Sequence, residues 1–217
     1  MTKKHYYLIV DTETTKFQTV ADFGAVVVDR KGAIVEQFGA MVLGHFGSMP
    51  LFSDPTADAD AFWSEQSAQR RLKNYDDMLE SGERSISSPA LINQWLAGIN
   101  ARYNPVLTAY NIAFDFGKCR NTRINLGIFN SRFCLMRTAK RKIGVLADYQ
   151  KFCYDNNLLT KKLRKPQMTA DAMAKYICPE MPDEPHTALE DARDYEALIL
   201  SYILRDTTRK QILELGQ

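Results

Sequence analysis

The chain has 217 residues, enough to bury one core, and its 45% hydrophobic and 25% charged residues exclude the disordered and fibrous classes. With 28 Lys and Arg against 26 Asp and Glu, the net charge of +2 gives no global field for a polyanion, so affinity for one must come from locally placed cations or metal ions. No apolar run reaches the ~20 residues of a membrane helix, and Met1-Thr2-Lys3-Lys4-His5-Tyr6 leads into a strand-like segment without the apolar stretch of a signal peptide, so a cytoplasmic protein is expected.

Tyr6 to Val10 is an aromatic and β-branched run suited to a buried strand. Phe23 to Asp29 and Ala33 to Val42, separated by the turn-like Arg30-Lys31-Gly32, give two more, so an antiparallel meander opens the chain. Polar and acidic residues then dominate from Gly44 to Ser88. Within that stretch Ser48, Pro50, Ser53, Asp54 and Pro55 mark a loop before a helix from about Thr56 to Leu79. This segment, 44–88, is the expected place of a variable insertion within one domain spanning 1–217.

Pro89 to Arg102 has helical spacing, Val106 to Ala109 is a short strand after Pro105, and a helix from Ile112 to Leu126 is entered through a turn at Asn111. Arg132 to Met136 is a weaker strand. Leu146 to Asn156, Thr169 to Ile177 and His186 to Leu204 are predicted as helices. A meander followed by alternating helices and strands predicts an α/β fold with a mixed sheet flanked by helices. Cys119, Cys134, Cys153 and Cys178 are too dispersed for a zinc site or a disulfide framework, and are expected reduced and partly buried.

Asp11-Thr12-Glu13 ends the first strand. Alternation along an extended chain makes Asp11 and Glu13 project together, two rises of ~3.3 Å apart. That suits divalent cations ~3.5–4 Å apart, which want oxygen ligands; an isolated Asp-x-Glu is more often a strand end running into a polar turn. Asp115 lies just inside a helix, beside Ile112, Phe116 and Cys119 on the stripe that should face the core. A buried unpaired carboxylate is costly and a metal ion removes the cost, although an acid in a first helical turn is also favoured by the helix dipole. In His186-Thr187-Ala188-Leu189-Glu190-Asp191, helical spacing sets Asp191 on one face with Ala188, Tyr195, Leu198 and Tyr202. Glu190, Arg193 and Asp194 fall off it. His186, after Pro185, stands at the helix start, where a lone histidine is usually a solvated or capping residue.

Taken jointly, this dispersed set of acids with one imidazole resembles the DEDDh 3′→5′ exonucleases, the DnaQ-like family that includes the proofreading subunit of bacterial DNA polymerase III and oligoribonuclease. Asp11 and Glu13 match the family's first motif, Asp115 the acid of the second, and His186, Ala188 and Asp191 the His-x-Ala-x-x-Asp of the third. Where many members have His-Asn before the second acid, this chain has Tyr110-Asn111, and 44–88 matches no family pattern.

The resemblance implies a ribonuclease H-like fold and two Mg²⁺ or Mn²⁺ ions held by Asp11, Glu13, Asp115 and Asp191. It also implies His186 as general base, a role suited to an unperturbed pKa of ~6.5, and release of nucleoside 5′-monophosphates from a nucleic-acid 3′ end. DNA is favoured as substrate and RNA is the alternative. Thr12, Thr14 and Thr15 are candidates for contact with the terminal nucleotide, Phe17 for its base, and Asn111 and Phe114 for the pocket wall; each also reads as packing or turn chemistry. Lys140, Arg141 and Lys142, and Lys161, Lys162, Arg164 and Lys165, are basic clusters that serve either to track phosphates or as solvated surface. A non-catalytic nucleic-acid-binding module, with or without a polymerase or replication partner, and an unrelated phosphohydrolase are the competing readings.

Overall fold

The computed structural model describes residues 5–58, 61 and 63–217. The reading of Met1 to Lys4, and of the predicted helix at Ala59, Asp60 and Phe62, lies outside these residues. Strands β1 (Tyr6–Thr14), β2 (Val20–Asp29) and β3 (Ile34–Val42) form the expected antiparallel meander. Its second turn is closed by Asp29, whose Oδ1 accepts from Lys31 N at 2.7 Å and Ala33 N at 3.0 Å.

β4 (Ser85–Ser87) lies parallel to β3 at one edge, while β5 (Val106–Ala109) and β6 (Arg132–Cys134) extend the sheet in parallel from β1. The order β4-β3-β2-β1-β5-β6 is the mixed α/β sheet that the sequence predicts. It places β1 inside, between an antiparallel and a parallel neighbour.

Alternation along β1 divides the core. Leu8 and Val10 face a cluster with Ile92, Leu96 and Ile99 of α2 (Pro89–Tyr103) and Cys119 of α3 (Ile112–Asn121). Tyr7 and Ile9 face the other side. There they meet α4 (Leu135–Lys142), α5 (Ala147–Asp155), α6 (Ala170–Ile177) and the last long helix. That helix starts as α7 (Ala188–Glu190), passes through a π-helical stretch (Asp191–Glu196) and ends as α8 (Ala197–Leu204). Asp11 and Glu13 have the same parity as Tyr7 and Ile9, so they emerge under this helix.

Several predicted boundaries move, each for a local reason. The helix expected from Thr56 is α1 (Glu65–Ser81), because Asp54 Oδ1 takes Thr56 N at 2.8 Å into a turn and Ser64 supplies the cap, accepting from Ser67 N at 3.1 Å. The helix expected to run to Leu126 stops at Asn121, since Arg123 adopts a φ of 63° and Thr122 Oγ1 bonds back to Lys118 O at 2.8 Å; a short 3-10 turn follows at Leu126–Ile128. The strand expected to Met136 ends at Cys134, where α4 begins.

The last helix starts at Ala188, not His186, because His186 has a φ of 57°. Inside it the π turn shifts the phase: Ala197, Ile199, Leu200, Ile203 and Leu204 are the buried residues of α8, and Leu198 and Tyr202 lie half-buried. Strand β4 and helix α9 (Arg209–Leu215), which has a full capping box at Thr208 and Gln211, are absent from the sequence reading. All four cysteines are free, with Cys178 half-buried and the others buried. Among the described residues no helix is long and apolar enough to cross a membrane.

Candidate active site

Close approach of α7 to the sheet begins with two glycines. Asp11 pairs with Gly24, and Gly24 with Gly39, so one row across three strands contains two residues without a Cβ. The backbone of Ala188 and Leu189 fills that saddle: a Cβ at Gly24 would lie 2.2 Å from the Ala188 carbonyl carbon, and one at Gly39 would lie 2.9 Å from Leu189 Cδ2. Ala188 N donates to Asp22 Oδ2 at 2.9 Å, and buried Arg84 bonds Glu190 while its Nε stands 3.9 Å from Asp22 Oδ1. These contacts seat the helix start beside the end of β1.

The second acid arrives by a different route. β5 ends at Ala109, the chain turns through Tyr110 and Asn111, and the first turn of α3 carries Asp115, which is buried. Thr12, between the two acids of β1 and on the opposite side of the strand, donates from Oγ1 to Asp115 Oδ1 at 2.9 Å. Strand β1 and helix α3 are thereby tied at the point where their carboxylates meet.

The acids converge on one cleft of about 560 Å³, lined by Asp11, Glu13, Asp115, His186 and Asp191. Glu13, His186 and Asp191 each offer a ligand atom, all within 4.8 Å of one another. The cleft has two further carboxylates that sequence reasoning missed, Glu184 and Glu196. Glu184 belongs to the loop before His186, with Oε2 4.0 Å from His186 Nδ1. Its proximity in sequence to His186 was the available signal. Another missed residue is Arg71 of α1, buried, with Nη1 3.0 Å from Glu13 Oε2 and Nη2 3.1 Å from Phe52 O. Segment 44–88 thus supplies a cation to the site.

So many acids in one desolvated place resist ionisation. Burial pushes Glu13 up to about 8 against the pull of Arg71. It likewise raises Asp115 to about 7 and Glu184 to about 7. Burial and then the charges of Glu184 and Glu13 raise Asp191 to about 10. Asp11 rises well above the ordinary carboxylate range through desolvation and its acidic neighbours. Burial, with Arg71 next, lowers His186 to about 4, which keeps the imidazole neutral and able to accept a proton. The Asp191 Oδ1 atom is buried without a hydrogen-bond partner among the described residues. A cluster of hard oxygen donors short of positive charge and of partners fits a divalent cation.

Thr12, Thr14, Asn111 and Phe114 also line the cleft. Phe114 is 40% exposed, with Lys118 Nζ 4.4 Å from its ring centroid. Trp63, 45% exposed, is an additional aromatic on the lining. Thr15 and Phe17 are not among the lining residues: Thr15 is buried, its Oγ1 2.7 Å from that of Thr19, and Phe17 is 66% exposed. Neither predicted basic cluster lines the cleft. Arg141 donates to Leu215 O at 2.5 Å, and Lys161 stands 3.7 Å from Asp58. A neighbouring depression of about 410 Å³ shares Asn111 with the cleft and is lined by Arg120, Arg132 and Arg137.

No protein-family model and no curated protein matches the sequence. Solved structures do. The chain is similar to E. coli Exonuclease I in complex with a 5cy-dT13 oligonucleotide, at 15% identity and a TM-score of 0.53, over 97% of this chain and 42% of that one. It is also similar to a 3′-exonuclease solved for its specific recognition of the 3′ end of histone mRNA stem-loop, at 12% identity and a TM-score of 0.52, over 94% of this chain and 65% of that one. The chain therefore spans less than half of the first and about two thirds of the second. It shares its fold with both, and the mixed sheet flanked by helices is the α/β arrangement that the sequence predicts.

Proposed function

We propose that this chain is a divalent-metal-dependent 3′→5′ exonuclease that removes nucleoside 5′-monophosphates from the 3′ end of a DNA strand. The observation that carries the reading is the convergence of Glu13, His186 and Asp191 within 4.8 Å, in the same cleft as Asp11 and Asp115. Asp11, Glu13, Asp115 and Asp191 would hold two Mg²⁺ or Mn²⁺ ions. When bound, the ions supply a water of lowered pKa and charge stabilisation at the leaving 3′ oxygen.

The remaining roles belong to protein side chains. His186, neutral at working pH, takes the proton of the attacking water. Thr12 holds Asp115 in place through its 2.9 Å bond. Phe114 offers a face to the terminal base, a contact worth ~1–3 kcal/mol that tolerates any base. Arg120, Arg132 and Arg137, reached past Asn111, fit the phosphates of the strand further from its end.

The test incubates 5′-labelled single-stranded DNA, duplex DNA and RNA with Mg²⁺ or Mn²⁺, beside an Asp11→Ala control. A ladder on DNA that is lost in the control is expected. A ladder on RNA alone moves the substrate to RNA, and no shortening of any strand leaves a binding module in its place.

A further inference from the structure

The helix that carries Asp191 leaves α geometry where it passes the cleft. In an α-helix, residues five apart are rotated by about 140° about the axis, so Glu196 would face well away from Asp191. In the π stretch Asp191–Glu196 the hydrogen bonds run from i to i+5, and residues five apart stack on one side. Both carboxylates accordingly line the cleft.

Glu196 is 2% exposed. Its Oε1 accepts from Tyr110 N at 3.2 Å, whereas Oε2 is buried and has no hydrogen-bond partner among the described residues. A buried carboxylate oxygen left without a donor is a costly arrangement, and one that a cation relieves. The neighbours of Glu196 are acids too: Asp115 is the charge acting most strongly on it, and it is the charge acting most strongly on Asp11. The buried guanidinium at the acids of β1, that of Arg71, is engaged with Glu13 and Phe52.

Building on the exonuclease reading, we infer that Glu196 is an additional oxygen ligand, binding a divalent cation seated with Asp11 and Asp115 beside the position framed by Glu13, His186 and Asp191. The π turn is the device that brings it there. Four acids matched to motifs account for the first set of ligands, and Glu196, bonded by Tyr110 N just after β5, adds a fifth carboxylate.

Calorimetric titration of Mn²⁺ into the metal-free chain tests this without relying on turnover. Wild type is expected to take up two ions. Glu196→Gln keeps an acceptor for Tyr110 N and mimics the neutral carboxyl that burial favours without metal, so its metal-free melting temperature should equal or exceed that of wild type. It should retain one Mn²⁺ at wild-type affinity and bind the other at least ~10-fold more weakly, since even groups that only orient a metal's ligands are worth ~10- to 100-fold. Two ions bound within twofold of wild type would overturn the role of Glu196 and leave the exonuclease reading standing. No Mn²⁺ uptake by wild type, with no laddering, would remove both. Should Glu196→Gln melt below wild type, Glu196→Asp, which keeps the charge and withdraws the oxygen, is judged by the same twofold limit.

Discussion

Arg71 of α1 donates from Nη1 to Oε2 of Glu13 at 3.0 Å, with both side chains largely out of solvent. A residue of the segment without a family pattern is thus the countercharge of a first-motif acid. Replacing it by Met leaves Glu13 without that donor and should destabilise the metal-free chain by about 1.5–3 kcal/mol, as for a hydrogen bond to a charged group. Saturating Mn²⁺ should narrow the gap, because a cation at Glu13 takes over the neutralisation. Melting curves of wild type and Arg71→Met in EDTA and in Mn²⁺ check this; an equal difference in both would separate Arg71 from the metal site.

The raised acids make a second expectation, in pH. Folded-state values of about 6 for Asp22, 7 for Asp115 and Glu184, 8 for Glu13 and 10 for Asp191 all exceed those of the unfolded chain. Across pH 6 to 9 the folded state therefore keeps protons that the unfolded state has lost. Stability present at acid pH must drain away as pH rises through those values. Metal-free protein should melt at progressively lower temperature from pH 6 to 9, and Mn²⁺, which binds the deprotonated groups, should flatten or reverse the slope. A melting temperature that climbs with pH in EDTA would contradict the burial of these carboxylates.

What could be read from the sequence follows from periodicity. β1 and β2 are dense in aromatic and β-branched residues, so the meander is visible, and Asp11 and Glu13 keep strand parity with Tyr7 and Ile9. Asp115 interrupts an apolar stripe on α3 and is buried there. Glu196 was out of reach because its orientation depends on a π turn, and a window that assumes 3.6 residues per turn assigns it to another face. Arg71 was hidden for a different reason: its partner is 58 residues away, and nothing local in α1 marks the position. Helix α4 did leave a trace in Leu135, Thr138 and Ala139, buried at helical spacing, but the strand residues directly before it masked its start.

The Gly24–Ala188 approach predicts a local sensitivity. A methyl at Gly24 would sit 2.2 Å from backbone that a side-chain rotation cannot move, so α7 must lift and carry Asp191 with it. Gly24→Ala should lose at least the ~1–3 kcal/mol typical of overpacking, and should lose the proposed exonuclease activity at temperatures where it remains folded. Gly117→Ala on α3 is the control, since its Cβ meets nothing within 4 Å. There the gain should be ~0.5–1 kcal/mol from helix propensity. Thermal melts and laddering assays of both variants decide the matter; a fully active Gly24→Ala would mean that α7 need not touch the sheet.

His186 can act in two ways, as proton acceptor or as metal ligand, because its imidazole lies within 4.8 Å of the ligand atoms of Glu13 and Asp191. The two roles separate cleanly in a single variant. If His186 takes the proton from water, His186→Ala should lower the rate about 10²- to 10⁴-fold and leave Mn²⁺ affinity near that of wild type. If it binds the ion, affinity and rate fall together. The neutral imidazole, held down to about 4 mainly by burial and then by Arg71, is compatible with either role. His186 lies outside the helix that carries Asp191, with a left-handed φ of 57° and its carbonyl accepting from Tyr75 Oη at 3.4 Å. With Asp11, Glu13, Asp115 and Asp191 proposed as the oxygen ligands, the imidazole is left for the proton. The expected result is therefore lost turnover with metal uptake retained, and parallel loss of both would reassign His186 to the metal.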